Sequence, residues 1–81
     1  MPPVAVNRQG DQVDMSINLD FYPMPKVLMA AQDFSGACWV NVQELSNARL
    51  KVSIRPKSSE QDVSVLGHEF FNYLLSLVKA R

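Results

Sequence analysis

The sequence predicts a single α+β domain in which two helices cover one face of a mostly antiparallel sheet. Two segments, 13–22 and 49–55, alternate between apolar and polar residues, as half-buried strands do. Two others, 24–35 and 63–78, repeat apolar residues every three or four positions, as amphipathic helices do. Because each strand has one polar face, the economical arrangement is a two-layer sandwich with the element order (β)βαββα.

The first clear strand starts at Val13 and reads "VDMSINLDFY". Its alternation places one set of apolar side chains inward: Val13, Met15, Ile17, Leu19 and Phe21. Upstream, residues 1–12 contain the short apolar run "VAV" and a Gly10-Asp11 turn signal. We expect this segment to be either an extra strand or a loose tail, and residues 13–81 to form the domain.

A short helix is predicted at residues 24–35, after Pro23 and Pro25 have ended the strand. Its apolar stripe comprises Met24, Val27, Leu28, Ala31 and Phe34, and Gly36 is a plausible stop. Two further strands, at 38–43 and 49–55, flank the turn-like "LSNAR" and predict a hairpin. If the first strand pairs with the nearer hairpin strand, the crossover through the helix should be right-handed.

The last helix should begin near Ser59, because Asp62 three residues later completes a pattern like a capping box. The negative charge of Glu60 favours the positive N-terminal end of a helix, and the positive charges of Lys79 and Arg81 favour its C-terminal end. Its apolar band is wider than one stripe and includes Phe70, Phe71, Leu74, Leu75, Leu77 and Val78. Such a band indicates either a partner or homodimer interface, or a surface covered by the N-terminal strand. Of the two, we favour association.

Composition limits the classes of function. At 81 residues the chain is long enough for one domain, and its formal net charge of zero provides no global attraction to nucleic acid or an anionic membrane. The N-terminus lacks the pattern of a signal peptide, and no apolar run approaches the ~18 residues of a membrane span. A single cysteine excludes an internal disulfide. We therefore expect a cytoplasmic protein without a membrane segment.

The stretch "HEFFN", from His68 to Asn72, begins like a zinc-protease motif but lacks its second histidine, because position 72 is Asn. The chain has no other histidine. Cys38 shares a strand face with Val40 and Val42, which favours a packed thiol over a nucleophile. We therefore expect no catalytic residue, no metal site and no cofactor.

One concentration of positive charge stands out. Arg49, Lys51, Arg55 and Lys57 should point to the same side of the sheet, with Trp39 beside them. This side is either a binding surface for nucleic acid or an acidic peptide, or a solvated face neutralised by Asp14, Asp20 and Glu44. With the exposed residues of the last helix, the candidate partner-binding set is Trp39, Arg49, Lys51, Arg55, Glu69, Phe71, Asn72 and Leu75.

The order of motifs supports a family resemblance. An alternating strand ending in "FYP", a helix with "VLMAAQDF", two strands, "RPK" and a helix with "EFFNYLL" follow one another. Residues 13–81 thereby resemble the small D protein of the His-Xaa-Ser system, chiefly through core spacing and a few motif residues: Tyr22, Pro23, Glu69, Phe70, Asn72 and Leu74.

That resemblance implies an accessory, non-catalytic role. Proteins of this family accompany radical-SAM maturases and a peptide with His-Xaa-Ser repeats, so the implied partner is the maturase or its peptide. The iron–sulfur chemistry would belong to the partner, because this chain lacks the closely spaced cysteines of a cluster. Glu69 and Asn72 carry over as candidate motif residues. The alternative function is a small nucleic-acid-binding module that uses the basic sheet face.

Overall fold

The computed structural model describes residues 4–46, 48–58 and 62–79. Along the chain it contains β1 (Val4–Val6), β2 (Val13–Asn18), α1 (Met24–Phe34), β3 (Cys38–Ser46), β4 (Arg49–Pro56) and α2 (Val63–Lys79). The four strands form one antiparallel sheet in the order β1-β2-β4-β3. The predicted α+β class and element order are confirmed.

Strand β2 pairs with β4 and not with β3. Val13 lies opposite Ile54 and Ile17 opposite Leu50, in an antiparallel register. The prediction of a right-handed crossover depended on pairing with the nearer hairpin strand, and this condition is not met. Strands β2 and β3 run parallel, with β4 between them. Strand β3 is left at one edge of the sheet.

The N-terminal segment is a strand in its described part, which decides between the two alternatives for residues 1–12. Val4 lies opposite Met15 on β2. Gly10 adopts a φ of 72° in the intervening turn, a conformation that glycine reaches without steric cost. The side-chain oxygen of Asn7 accepts hydrogen bonds from the backbone N–H groups of Asp11 and Gln12, at 3.0 and 3.2 Å.

The core lies between the helices and the apolar face of the sheet, which is called the inner face below. Buried side chains of β2 and β4 alternate along each strand, as the sequence predicts: Val13, Met15, Ile17, Leu50, Val52 and Ile54. Phe70 of α2 is fully buried and meets the ring of Phe34 of α1 edge to face, with ring centroids 5.1 Å apart. A hydrogen bond from the Tyr73 hydroxyl to the Asp33 carboxylate also joins the two helices.

The prediction that the first strand runs to residue 22 with Phe21 inward is wrong. Strand β2 ends at Asn18, and 69% of the Phe21 side chain is exposed. The Asn18 side chain accepts a hydrogen bond from the N–H of Asp20, and its carbonyl accepts from Phe21 and Tyr22. These local bonds turn the chain, as Asn commonly does. Tyr22 then packs edge to face against Phe71.

The helices also differ in detail from the prediction. Leu28 is 49% exposed, so the buried stripe of α1 consists of Val27, Ala30 and Ala31. The capping roles predicted for Ser59 and Glu60, and the role of Arg81, lie outside the described residues. In the described ranges, neither helix has the length and apolarity needed to cross a bilayer.

Part of the wide apolar band of α2 is used within the chain. Phe70 and Leu74 are buried, whereas Leu75 remains 38% exposed. Strand β1 packs against α2, and Val4 joins the edge of the core there. The alternative of a covering N-terminal strand is thus realised in part, and association through the remainder of the band stays a prediction.

Candidate binding face on the outer side of the sheet

The sheet side that faces away from the helices contains a hollow of about 520 Å³, here called the outer hollow. Its lining residues come mainly from β3 and β4: Gln12, Trp39, Val40, Asn41, Gln43, Lys51, Ser53 and Arg55. The lining combines one aromatic ring, three amide side chains, a hydroxyl and two cations. Such a surface offers several kinds of contact at once and no buried reactive group.

The hairpin register determines which side chains meet in the outer hollow. Trp39 lies opposite Arg55, and Gln43 lies opposite Lys51. Between these two pairs, Asn41 lies opposite a serine of β4. Because successive side chains of a strand point to opposite faces, the residues that alternate with these project toward the core. The same alternation that builds the core therefore assembles the polar face.

Trp39 is the main apolar group of the outer hollow. Its side chain is 64% exposed, although an indole ring is among the largest apolar surfaces a residue can offer. The Lys57 ammonium lies 4.5 Å from the centroid of the Trp39 ring, which is cation–π geometry. A ring held in this way is positioned for contact with a ligand.

The cations of the face are only loosely paired. The Lys51 ammonium lies 3.8 Å from the Asp14 carboxylate, and the Arg55 guanidinium lies 4.0 Å from that of Asp11. Arg49 donates a hydrogen bond to the Ser16 hydroxyl at 3.0 Å. Exposed pairs at such distances contribute little free energy. Another acceptor could therefore replace these carboxylates at small cost.

Asp14 contributes to the predicted neutralisation, whereas Asp20 and Glu44 are placed elsewhere. Asp20 lies in the turn after β2, and Glu44 lies opposite Leu50, an inner-face residue. The ion pair made by Asp11 was missed by sequence reasoning, because the sequence does not decide whether residues 1–12 form a strand or a tail. Its signal was the Gly10-Asp11 turn, which returns the chain beside β4.

The pKa of the Asp14 carboxyl is lowered from 3.8, the ordinary value. Burial alone raises it, but hydrogen bonds from Gln12 and Ser53 and the charge of Lys51 together outweigh that effect. The bond from the Gln12 amide measures 2.9 Å. The acidic group on this face is therefore held ionised.

The eight predicted partner-binding residues fall on two separate surfaces. Four of them lie on the outer sheet face: Trp39, Arg49, Lys51 and Arg55. Of these four, Arg49 does not line the outer hollow. The other four lie on α2, in the opposite layer. There Glu69, Asn72 and Leu75 are exposed, whereas Phe71 is half-buried against Tyr22.

Cys38 is placed as a core thiol. Its side chain is 2% exposed, and the pKa of the thiol is raised from 9.0, first by burial and further by the charge of Glu69, against a lowering effect of Lys57. A cavity of about 230 Å³ beside it is lined by carboxyl and apolar groups: Asp33, Phe34, Ala37, Leu66 and Glu69. His68 is exposed, and its Nδ1 lies 2.8 Å from the carbonyl oxygen of Ser64. Imidazole and thiol therefore do not form a pair.

In the described ranges, no group of three or more His, Cys, Asp or Glu side chains lies in an arrangement that could hold a metal ion. Sequence reasoning also missed the amide and hydroxyl lining of the outer hollow. The alternation of β3 puts Asn41 and Gln43 on the same strand face as Trp39, and the hairpin register links this face to Ser53.

Comparisons with known proteins found no matching family model, curated protein or solved structure.

Proposed function

We propose that this protein is a non-catalytic interaction module that binds an extended, acidic segment of a protein partner in the outer hollow. The observation that carries the proposal is that the exposed Trp39 ring lines the same hollow as amide side chains and the loosely paired cations Lys51 and Arg55. Each of these features favours a peptide with carboxylates and one or two apolar side chains.

The chemistry of the lining matches that of an extended peptide. Amide groups such as Asn41 and Gln43 both donate and accept hydrogen bonds, as peptide backbone groups require. A guanidinium binds a carboxylate through two parallel hydrogen bonds, so Arg55 is the group best suited to an acidic side chain. The Trp39 ring supplies the apolar contact that commonly dominates binding energy at protein interfaces.

The placement of the reactive residues supports a non-catalytic role. A nucleophilic thiol requires a lowered pKa and a neighbouring base. Cys38 is buried with a raised pKa, and His68 is exposed and bonded to its own helix.

The family resemblance supports the same class of function and suggests the partner. If the chain is a D protein of the His-Xaa-Ser system, the ligand is a segment of a radical-SAM maturase or of its peptide, in the cytoplasm. The residues of the α2 surface, Glu69 and Asn72, would then contact the partner separately from the outer hollow.

A nucleic-acid-binding module is the second candidate. One observation favours it, namely that the basic residues of β4 share a face with the exposed Trp39. Two observations weigh against it: the formal net charge is zero, and acidic side chains lie near both Lys51 and Arg55. Single-strand binders commonly stack several bases on aromatic rings, and this hollow offers one.

Trp39 is the only tryptophan in the chain, so its fluorescence reports directly on the outer hollow. We expect a peptide of eight residues that alternates Asp and Val, ~26 Å long when extended, to change this fluorescence at micromolar concentration. Arg55→Gln should weaken binding at least tenfold, since a hydrogen bond to a charged group contributes ~1.5–3 kcal/mol. Lys79→Gln, at the end of α2, is the charge-matched control and should leave affinity unchanged.

Two results would count against the proposal. One is a fluorescence that does not respond to the acidic peptide, or responds equally to a peptide alternating Lys and Val. The other is tighter binding of single-stranded RNA, with an affinity that falls steeply as salt rises, which would favour the second candidate.

A further inference from the structure

Strand β3 presents a long free edge. It contains nine residues, Cys38–Ser46, and lies at the end of the sheet, with β4 as its neighbour on one side. In the described ranges, no strand pairs with its other side. The opposite edge of the sheet is formed by β1, which has three residues. Of the two edges, β3 therefore has the greater capacity to pair with another strand.

This edge lacks the usual protection against pairing. Natural edge strands carry Lys or Pro, are short, or are interrupted by bulges. Strand β3 contains no Lys, Arg or Pro, and Glu44 is its one charged residue. The register with β4 is regular from Cys38 to Glu44, and the irregularity lies between Glu44 and Ser46. Residues 38–44 therefore present a regular edge.

Apolar side chains remain exposed on both faces of this edge. On the inner face, Val40 and Val42 stay half-buried, while the corresponding residues of β4 are covered by the helices. Trp39 is 64% exposed and Leu45 is 52% exposed. A neighbouring strand along residues 38–44 would cover Val40, Val42 and Trp39.

We propose that two copies of this chain pair antiparallel through β3, with the two-fold axis beside Asn41. In that register Val40 lies opposite Val42 of the second copy, and Val42 opposite its Val40. Trp39 lies opposite Gln43 of the second copy, on the outer face of the sheet. The edge is thus complementary to itself, as a two-fold interface requires.

The charges are compatible with this pairing. The formal net charge is zero, so two copies do not repel each other overall. In this register each Glu44 lies opposite residue 38 of the second copy. The two Glu44 residues are therefore six positions apart, which separates them by ~20 Å along the strands. Backbone hydrogen bonds and reciprocal valine contacts then act without an opposing like-charge pair.

The dimer would enlarge the candidate binding face. Trp39, Asn41 and Gln43 line the outer hollow from the β3 side, so pairing places the two hollows side by side on a continuous sheet of eight strands, four from each copy. A longer partner segment could then contact both. The dimer itself needs no ligand, and its test is therefore independent of the proposed function.

Sedimentation of the unliganded chain from micromolar to millimolar concentration provides the first measurement. The mass should rise from 9.1 kDa toward twice that value. Asn41→Lys, which places two ammonium groups face to face at the axis, should shift dissociation at least tenfold toward monomer. Asn41→Thr is the matched control, since it is neutral at the same position and should leave the dimer in place. Residue 41 is exposed, so neither change disturbs the core.

Cross-linking tests the register. Opposed Cα atoms lie ~5 Å apart, within disulfide range, so Asn41→Cys should form a covalent dimer under mild oxidation. Gln43→Cys should not, because the two copies of residue 43 stand ~13 Å apart along the strands. A chain that stays monomeric at every concentration, a dimer that survives Asn41→Lys, or equal cross-linking of both cysteine variants would each overturn the proposal.

Discussion

At Gly67, α2 packs tightly against side chains of β1 and β2. A β-carbon placed there would lie 2.8 Å from Val13 Cγ2 and 3.0 Å from Val4 Cγ1. Contacts this short force neighbouring atoms to move, and Val13 is fully buried with little freedom to do so. The absence of a side chain at this position is what lets β1 and β2 pack against the helix.

Gly67→Ala should therefore destabilise the protein, even though Ala is the better helix former by ~1 kcal/mol. Overpacking of a filled core costs ~1–3 kcal/mol, so we expect a net loss in the free energy of unfolding. Urea denaturation measures it. Gly36→Ala is the matched control, because a β-carbon there meets no atom within 4 Å and should cost little. Equal stability of the two variants would contradict the packing described here.

The lowered pKa of Asp14 makes a pH-dependent contribution to stability. Because its pKa in the folded state lies below the ordinary 3.8, the ionised carboxylate stabilises the fold above that pH. The contribution is lost as pH falls through the lowered value. We expect the unfolding free energy of Asp14→Asn to fall less steeply under acid than that of the unchanged chain. Curves that stay parallel over the whole range from neutral pH into acid would show that Gln12, Ser53 and Lys51 do not hold the charge.

Among the elements, those with strong periodicity could be predicted from the sequence and those governed by local bonds could not. The alternation in β4 and the three-and-four spacing in α1 each identify an element within a few residues. The end of β2 could not be predicted in this way, since Phe21 continues the alternation while Asn18 turns the backbone away. Strand β1 is too short for periodicity, and its pairing with β2 decides its conformation.

The start of α2 is fixed by Asp62. Its carboxylate accepts a hydrogen bond from the N–H of Ser64 at 3.0 Å, and its carbonyl accepts one from Leu66. These are the bonds of an N-cap residue, whose loss typically costs ~1 kcal/mol. Asp62→Ala should lower the unfolding free energy by about that amount, whereas Asp62→Ser should retain most of it. Equal losses in the two variants would mean that the side chain does not cap the helix.

The order of the strands in the sheet could not be predicted from the sequence, and it determines which side chains meet on the outer face. Periodicity indicated that Trp39 and the basic residues of β4 point outward, and this part of the face was predicted. It could not indicate that β2 would pair with β4, which brings Asp14 beside Lys51 and leaves β3 at an edge. Pairing between strands that are distant in the sequence depends on which apolar strand faces pack against the same helices. The residue pattern of a single strand does not contain this information.

We propose that partner binding takes place on the outer sheet face, and mapping of backbone amide shifts by NMR would locate the binding surface residue by residue. On titration with the peptide that alternates Asp and Val, we expect the largest shifts at Trp39, Gln43, Lys51 and Arg55. Residues of α2 such as Asn72 should stay unchanged. Shifts confined to α2, with the outer sheet face unaffected, would contradict the account.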